Sequence, residues 1–347
     1  MTRVYLDHNA TTPLRPEARA AMIAAMDVVG NPSSVHAEGR AAKALVETAR
    51  GKVARAIGAD GAEIVFCASA TEAAALALKG RGFHGAAVEH DAVSNWIEVD
   101  LPVDPEGAVR PDNPANSTLQ LANSETGVIQ NLPEGLAVSD VTQAFGKIGV
   151  EFLRSGSVMA LVSAHKLGGP KGIGALVLRR GSDLNPILKG GGQEMGRRAG
   201  TENVIGIAGF GAAAEAAARD VAEGRWEEVA EFRNILESSI ADISNKTIFV
   251  GNSAGRLPNT SCYATPGWKG ETQVMQMDLA GFAISAGSAC SSGKVKSSRV
   301  LRAMGYDEVT AASAVRVSLG LETTRDEVLA FAEAWGRAYE KFNARRA

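Results

Sequence analysis

The sequence predicts an α/β protein built on a mostly parallel sheet, and three observations carry that prediction. Short apolar runs bounded by glycine alternate with helical patterns along the chain, as expected where strand and helix units stack into layers. Several of those runs end in polar clusters at the same relative position, the carboxyl end of the strand, where open α/β sheets bind ligands. The chain has 347 residues, 45% hydrophobic and 22% charged, enough to bury a large core divided between two domains.

The first helix is expected to start at Pro16, whose fixed φ suits a first turn, and to stop at Gly30. A second follows Ser33-Ser34, with Val35, Leu45, Val46, Ala49, Val53 and Ile57 as its apolar stripe. Residues 63–67 read as a strand that passes through Ala68-Ser69-Ala70-Thr71-Glu72 into an alanine-rich helix ending at Gly80. A strand entering a helix through small residues presents backbone N–H groups and the positive end of the helix dipole, which suits a phosphate. Thr71 as a plain N-cap is the competing reading. Further strands are expected at 86–89, 119–122, 136–140, 158–162 and 173–178. His90 follows the first of these, Asn123-Ser124-Glu125 the second, Asp140 with Gln143 the third, and Ser163-Ala164-His165-Lys166 the fourth. Each alone has a bland reading, a loop histidine or a turn aspartate. Four at one end of a sheet point to one shared site.

Lys166 follows a buried apolar run and precedes the glycine-rich turn Gly168-Gly169-Pro170-Lys171-Gly172. Desolvation there would lower its pKa and free the amine to bond an aldehyde cofactor or carbonyl substrate, against the alternative of a surface lysine at a strand end. Pyridoxal phosphate needs a lysine for its aldehyde, a carboxylate for its ring nitrogen, a flat partner over the ring and donors for its phosphate. Lys166, Asp140 and His90 answer the first three needs, and Thr71 with Ser163 and His165 the last; Gln143 is within reach of the ring hydroxyl. The formal net charge of -3 comes from 36 basic and 39 acidic residues without a long block of one sign. No nucleic-acid or membrane surface is therefore expected, and with no secretory start the chain is expected in the cytoplasm. Cys67, Cys262 and Cys290 form no CxxC pair, which argues against a disulfide framework or a cysteine-type metal site.

The ordered motifs Tyr5-Leu6-Asp7-His8-Asn9-Ala10-Thr11-Thr12-Pro13, Asn31-Pro32-Ser33-Ser34, Ala70-Thr71-Glu72, Glu89-His90, Glu125-Thr126-Gly127, Asp140 with Gln143, His165-Lys166, Gly190-Gly191-Gly192-Gln193-Glu194, Arg198-Ala199-Gly200-Thr201, Gly287-Ser288-Ala289-Cys290-Ser291-Ser292 and Val315-Arg316-Val317-Ser318-Leu319-Gly320 span nearly the whole chain. By them it resembles the cysteine desulfurases of the class V aminotransferase group, as an unusually short member. The resemblance implies a fold-type I enzyme with a seven-stranded-type sheet in a large domain, residues 31–224, and a smaller α+β domain made of residues 1–30 and 225–347. It implies that Lys166 carries the cofactor, that His90 stacks on its ring, that Asp140 pairs with the ring nitrogen and that Gln143 reaches the ring oxygen. Ala70, Thr71, Ser163 and His165 would hold the phosphate, and Thr201 would reach the site of the partner in a homodimer. Arg316, with Asn9 and Asn123, would bind the substrate. The implied reaction takes L-cysteine to L-alanine and leaves a persulfide on Cys290, supplying sulfur to an acceptor or iron-sulfur scaffold protein for cluster assembly or other thiolation. A transaminase, a selenocysteine or sulfinate lyase, and a weakly active homologue serving as a scaffold are the competing readings.

Cys290 lies in a small, polar segment, where a thiol is exposed rather than packed, while Cys67 and Cys262 read as buried hydrophobes. Arg316 stands among apolar neighbours, where a charge needs a partner: a substrate carboxylate or an internal salt bridge. Ser124 stands where relatives carry an asparagine, and Ser69 where they carry a glycine that keeps the phosphate turn open. Where relatives carry crossover helices, the connection 91–118 is proline-rich and the connection 130–138 is too short for a helix. That predicts a sheet face around 132–138 left for a partner protein, or else covered by the chain itself.

Overall fold

The computed structural model describes residues 3–287 and 297–344. The strands in chain order are β1 (Val4–Tyr5), β2 (Glu63–Cys67), β3 (His84–Ala86), β4 (Glu98–Leu101), β5 (Val138–Asp140), β6 (Met159–Ser163), β7 (Gly174–Leu178), β8 (Ile248–Phe249), β9 (Thr260–Ala264), β10 (Phe282–Ala283), β11 (Ser285–Ala286) and β12 (Ala314–Ser318). The helices are α1 (Pro16–Met26), α2 (Ala37–Ala56), α3 (Ala70–Leu78), α4 (Asp91–Ser94), α5 (Val204–Ala222), α6 (Arg225–Ile243), α7 (Gly270–Leu279), α8 (Arg299–Ala303), α9 (Glu308–Ala312) and α10 (Arg325–Ala344).

The main sheet runs β2-β7-β6-β5, with β7 antiparallel to both neighbours and β5 parallel to β6. Beyond β5, residues 117–121 continue it in parallel: Leu119 N donates to the Val138 carbonyl at 3.1 Å and Leu121 N to that of Asp140 at 2.8 Å. A parallel bridge from Ser117 to His84 joins this line to β3, which pairs with β4 in parallel. Seven lines of chain thus lie side by side with β7 opposed, matching the mostly parallel sheet expected.

Both faces are apolar because both are covered, as parallel strands require. On one face Val46, Ala49, Val53 and Ile57 of α2 and its end pack with Phe210, Ala213 and Ala214 of α5 against Ile64, Phe66 and Val162. α1 also lies on α5. On the other face Ala73, Ala74 and Leu76 to Leu78 of α3 meet Val65, Leu161 and Leu176. A second, antiparallel sheet, β11-β12-β9-β8, packs Tyr263, Val315 and Val317 against Trp268, Phe331 and Trp335. Leu6, just after β1, joins this core, so the two ends of the chain meet there.

Some boundaries differ from the sequence expectation. α1 ends at Met26, four residues before Gly30, and Val35 is exposed because it precedes the first turn of α2. The strand expected at 86–89 lies at 84–86; the Glu89 N–H donates to the Ala86 carbonyl in a turn that delivers His90. The short connections leave no bare face. Leu136 packs with Val88, Val109, Leu119, Val250 and Leu301, while Ala137 and Val138 join the α3 side of the core. The expectation that a partner protein covers residues 132–138 is therefore corrected: segments remote in sequence do so. Among the described residues, no helix is long and apolar enough to cross a membrane, and no cluster of side chains is suited to holding a metal.

Candidate active site

A cavity of about 300 Å³ opens beyond the carboxyl ends of the strands. Asn9, Ala70, Thr71, His90, Asp140, Gln143, Ser163, His165, Lys166 and Arg316 line it, together with Ala10, Ser69, Ala92, Gln120, Ala122, Ser124 and Thr142. The strand ends that looked equivalent in the sequence thus converge.

Each wall has a local cause. The α3 wall begins at Ser69, the N-cap, whose Oγ accepts from Glu72 N at 3.4 Å. Ser69 therefore does the capping that the sequence offered to Thr71, which lies two residues further on, inside the first turn, and lines the cavity. The Glu72 carboxylate accepts from Ala68 N at 2.7 Å and from Arg198 Nε at 2.8 Å, which fixes the turn. His90 caps α4, its Nδ1 accepting from Ala92 N at 3.1 Å. Asp140 ends β5 and accepts from Thr142 N at 2.9 Å through one oxygen. Lys166 follows β6, and its Nζ donates to the backbone carbonyls of Asn9 at 2.7 Å and Ala10 at 2.8 Å. His165 shares a hydrogen bond with Thr11 Oγ1 at 3.1 Å, and burial, helped by Lys166 and Lys171, pushes its pKa down to about 4. It is therefore a neutral imidazole, able to donate from one nitrogen.

Arg316 is 3% exposed. Its Nη2 donates to Asp7 Oδ1 at 2.7 Å and its Nη1 to the Ser124 carbonyl at 2.9 Å, while Nε is buried without a partner among the described residues. Ser285 donates to the other Asp7 oxygen at 2.8 Å. The internal salt bridge therefore exists, and it orients a guanidinium that also lines the cavity. Asn123 does not reach the cavity: its amide donates to the Val88 carbonyl at 3.1 Å and its Oδ1 accepts from Glu125 N and Thr126 N. It builds the turn, and Ser124 faces the cavity. Thr201 is exposed and lines a separate hollow with residues 187–191. Cys290 lies outside the described residues.

The sequence reading missed three groups beside this cavity, Glu89 and Lys147 buried and Glu125 half-buried. Glu89 is fully enclosed, with Oε1 accepting from Gln120 N at 2.7 Å and Oε2 without a partner among the described residues; burial pushes its pKa up to about 8. Glu125 accepts a hydrogen bond from Ser298 Oγ at 2.5 Å and is pushed up to about 7 by burial. Lys147 donates to Gln143 Oε1 at 2.8 Å and Asn9 Oδ1 at 2.9 Å, and burial holds its pKa well below the usual lysine range. Only the glutamates carried a signal, each standing directly beside a cavity residue; Lys147 carried none, because residues 143–147 form turns rather than a helix.

The donor set fits pyridoxal phosphate. The cavity lining includes a lysine amine, a carboxylate at the end of β5, the His90 imidazole, and hydroxyl, imidazole and α3 N-terminal donors from Thr71, Ser163, His165 and Ala70. A buried guanidinium N–H with no partner among the described residues, Arg316 Nε, is suited to an anionic ligand.

With this geometry in place, the class of protein follows: the chain belongs to the class V aminotransferase family, whose model matches residues 4–95 and 108–331. Members of this family use pyridoxal phosphate. The break in the match falls in the connection 91–118, where β4 forms an exposed edge. Its relatives are more particular. The chain is 36% identical to the cysteine desulfurase IscS of Dictyoglomus turgidum over 97% of its own length and 95% of the relative's. It is 39% identical to a cysteine desulfurase of Cereibacter sphaeroides, covering 94% and 93%. Among solved structures it resembles the NifS-like protein of Rickettsia africae with a TM-score of 0.89, at 31% identity over 97% of this chain and 99% of that one.

Proposed function

We propose that this chain is a pyridoxal-phosphate-dependent cysteine desulfurase that converts L-cysteine to L-alanine and leaves the sulfur as a persulfide on Cys290. The observation that carries this reading is the convergence of Lys166, Asp140, His90, Thr71, Ser163 and His165 on one cavity.

Lys166 would hold the cofactor covalently. Asp140 would face its ring nitrogen, Gln143 its ring oxygen and His90 its ring face; Ala70, Thr71, Ser163 and His165 would receive its phosphate. When bound, the cofactor supplies an electron sink that weakens the Cα–H and C–S bonds of cysteine. Arg316, already aimed by Asp7, orients the substrate carboxylate, and Asn9 borders the same region. Lys166 and His90 move protons at the substrate carbon and leaving sulfur. The Cys290 thiolate attacks the substrate sulfur; the C–S bond breaks with its electron pair returning to carbon, which is protonated to give alanine. Cys67 and Cys262 are both buried, and burial pushes the Cys67 thiol up to about 12 and Cys262 higher still. Neither can supply the thiolate, which favours Cys290.

The two-domain division, 31–224 against 1–30 with 225–347, is part of this proposal, with α1 lying across the boundary against α5. So are a homodimer in which Thr201 serves the neighbouring site, an acceptor or iron-sulfur scaffold protein that takes the persulfide sulfur, and a cytoplasmic location. Incubation with L-cysteine and a thiol tests the activity: equimolar alanine and sulfide are expected. A 2-oxo acid product without sulfide would replace the reading with transamination.

A further inference from the structure

Lys147 is the least expected group near the cavity. It is 3% exposed, does not line the cavity, and yet carries an amine in the core. Such a group costs stability unless it is fully hydrogen-bonded, and apolar residues fill such positions more cheaply. What it touches shows its use. Its Nζ donates to Gln143 Oε1 and Asn9 Oδ1. Gln143 Nε2 in turn donates to the Asn9 backbone carbonyl at 3.0 Å, and that carbonyl also receives Lys166 Nζ. Asn9 Oδ1 also accepts from Asn259 Nδ2 at 3.1 Å, and Asn9 Nδ2 donates to Thr260 Oγ1 at 2.9 Å. A lysine amine is predominantly a donor, so it dictates which end of the Gln143 amide faces it. The carboxamide oxygen points to Lys147 and the N–H end to Asn9 and the cavity.

We propose that Lys147 is a positioning residue of the cofactor site, fixing the orientation of Gln143 and the placement of the Asn9 carbonyl that holds Lys166. This rests on the reading of the cavity as a pyridoxal phosphate site, and it names a residue that touches neither cofactor nor substrate. Residues that orient a ligand from behind commonly change its affinity by tenfold or more when lost. They also act as a unit with the group they orient, so their effects do not add.

The test is a titration of the homogeneous protein, stripped of cofactor, with pyridoxal phosphate, following absorbance and cofactor Kd, with thermal unfolding alongside. Lys147→Met should bind about tenfold more weakly with a shifted visible band, while its melting temperature stays near that of the parent. Lys147→Gln, which keeps an N–H donor on a shorter stem, should recover part of the loss. Adding Lys147→Met to Gln143→Ala should weaken binding by no more than about twofold beyond Gln143→Ala alone. Should Lys147→Met fail to fold, the same comparison is made with Lys147→Gln. Unchanged Kd and absorbance, or a loss that adds in full to that of Gln143→Ala, overturns the positioning role while leaving the site reading intact. Failure of the parent protein itself to bind pyridoxal phosphate overturns both.

Discussion

At the scale of single residues, the chemistry separates into a group that would hold the cofactor and a group that would take the sulfur. Lys166 reaches two backbone carbonyls, so replacing it removes the covalent anchor without removing the donors around it. Lys166→Ala is expected to bind pyridoxal phosphate reversibly and to lose at least about a thousandfold in turnover, as deleting a covalent nucleophile does. Borohydride reduction followed by peptide mapping checks the anchor: an adduct on Lys171 or Lys147 in place of Lys166 would end the assignment. Cys290→Ala is expected to keep the cofactor spectrum and its change on adding cysteine, while persulfide formation disappears. Sulfide release at the parental rate would refute Cys290 as the acceptor. Lys166, His90 and Asp140 were legible because each stands where an apolar run stops. Lys147 was not, since nothing in the string distinguishes a surface lysine from one whose neighbours are contributed by Asn9, over a hundred residues away.

At the scale of elements, the α3 N-terminus is the part whose sequence departs from the pattern of the relatives it resembles, and the structure gives that departure a use. Ser69 adopts extended backbone, with φ -174°, which a serine takes without strain. Its Oγ caps the helix. Ser69→Gly should therefore cost only a few tenths of a kcal/mol and Ser69→Ala about 1 kcal/mol, measured by denaturant unfolding. If Ser69→Ala is as stable as the parent, the capping bond contributes nothing. β2, α2 and α3 were legible to within a residue or two from periodicity and glycine punctuation. The 117–121 line and the shifted β3 were not, because their pairing partners are distant and short strands leave little period to read. The absent crossover helix misled for a related reason. Sequence length between strands says that a helix is missing but not that Val250, Leu301 and their neighbours will fill the space.

At the scale of the whole molecule, burying ionisable groups around one cavity makes stability depend on pH in opposite directions. Glu89 and Glu125 have pKa values raised to about 8 and about 7, so between the ordinary carboxyl value and those figures the folded state holds more protons than the unfolded chain. Each group therefore lowers stability as pH rises through that window, by up to about 1.4 kcal/mol per pH unit. His8 and His165, lowered to about 4, work the other way: the unfolded chain binds the extra proton, and stability rises from about pH 4 to the ordinary histidine value. Lys147, held low by burial, also favours folding as pH rises. The parental curve is thus a sum of opposed slopes, and only a difference isolates one group. Glutamine cannot ionise, so Glu89→Gln should gain stability relative to the parent steadily from about pH 5 to 8 and show no further relative gain above it. Glu125→Gln should follow the same course but level off about one pH unit earlier. Denaturant unfolding of the three proteins at matched pH values measures this. A parent-to-variant difference that stays flat from pH 5 to 9 would mean that these carboxyls are hydrated or paired in solution, and that the dry wall behind the cavity, on which their raised pKa values depend, does not persist there.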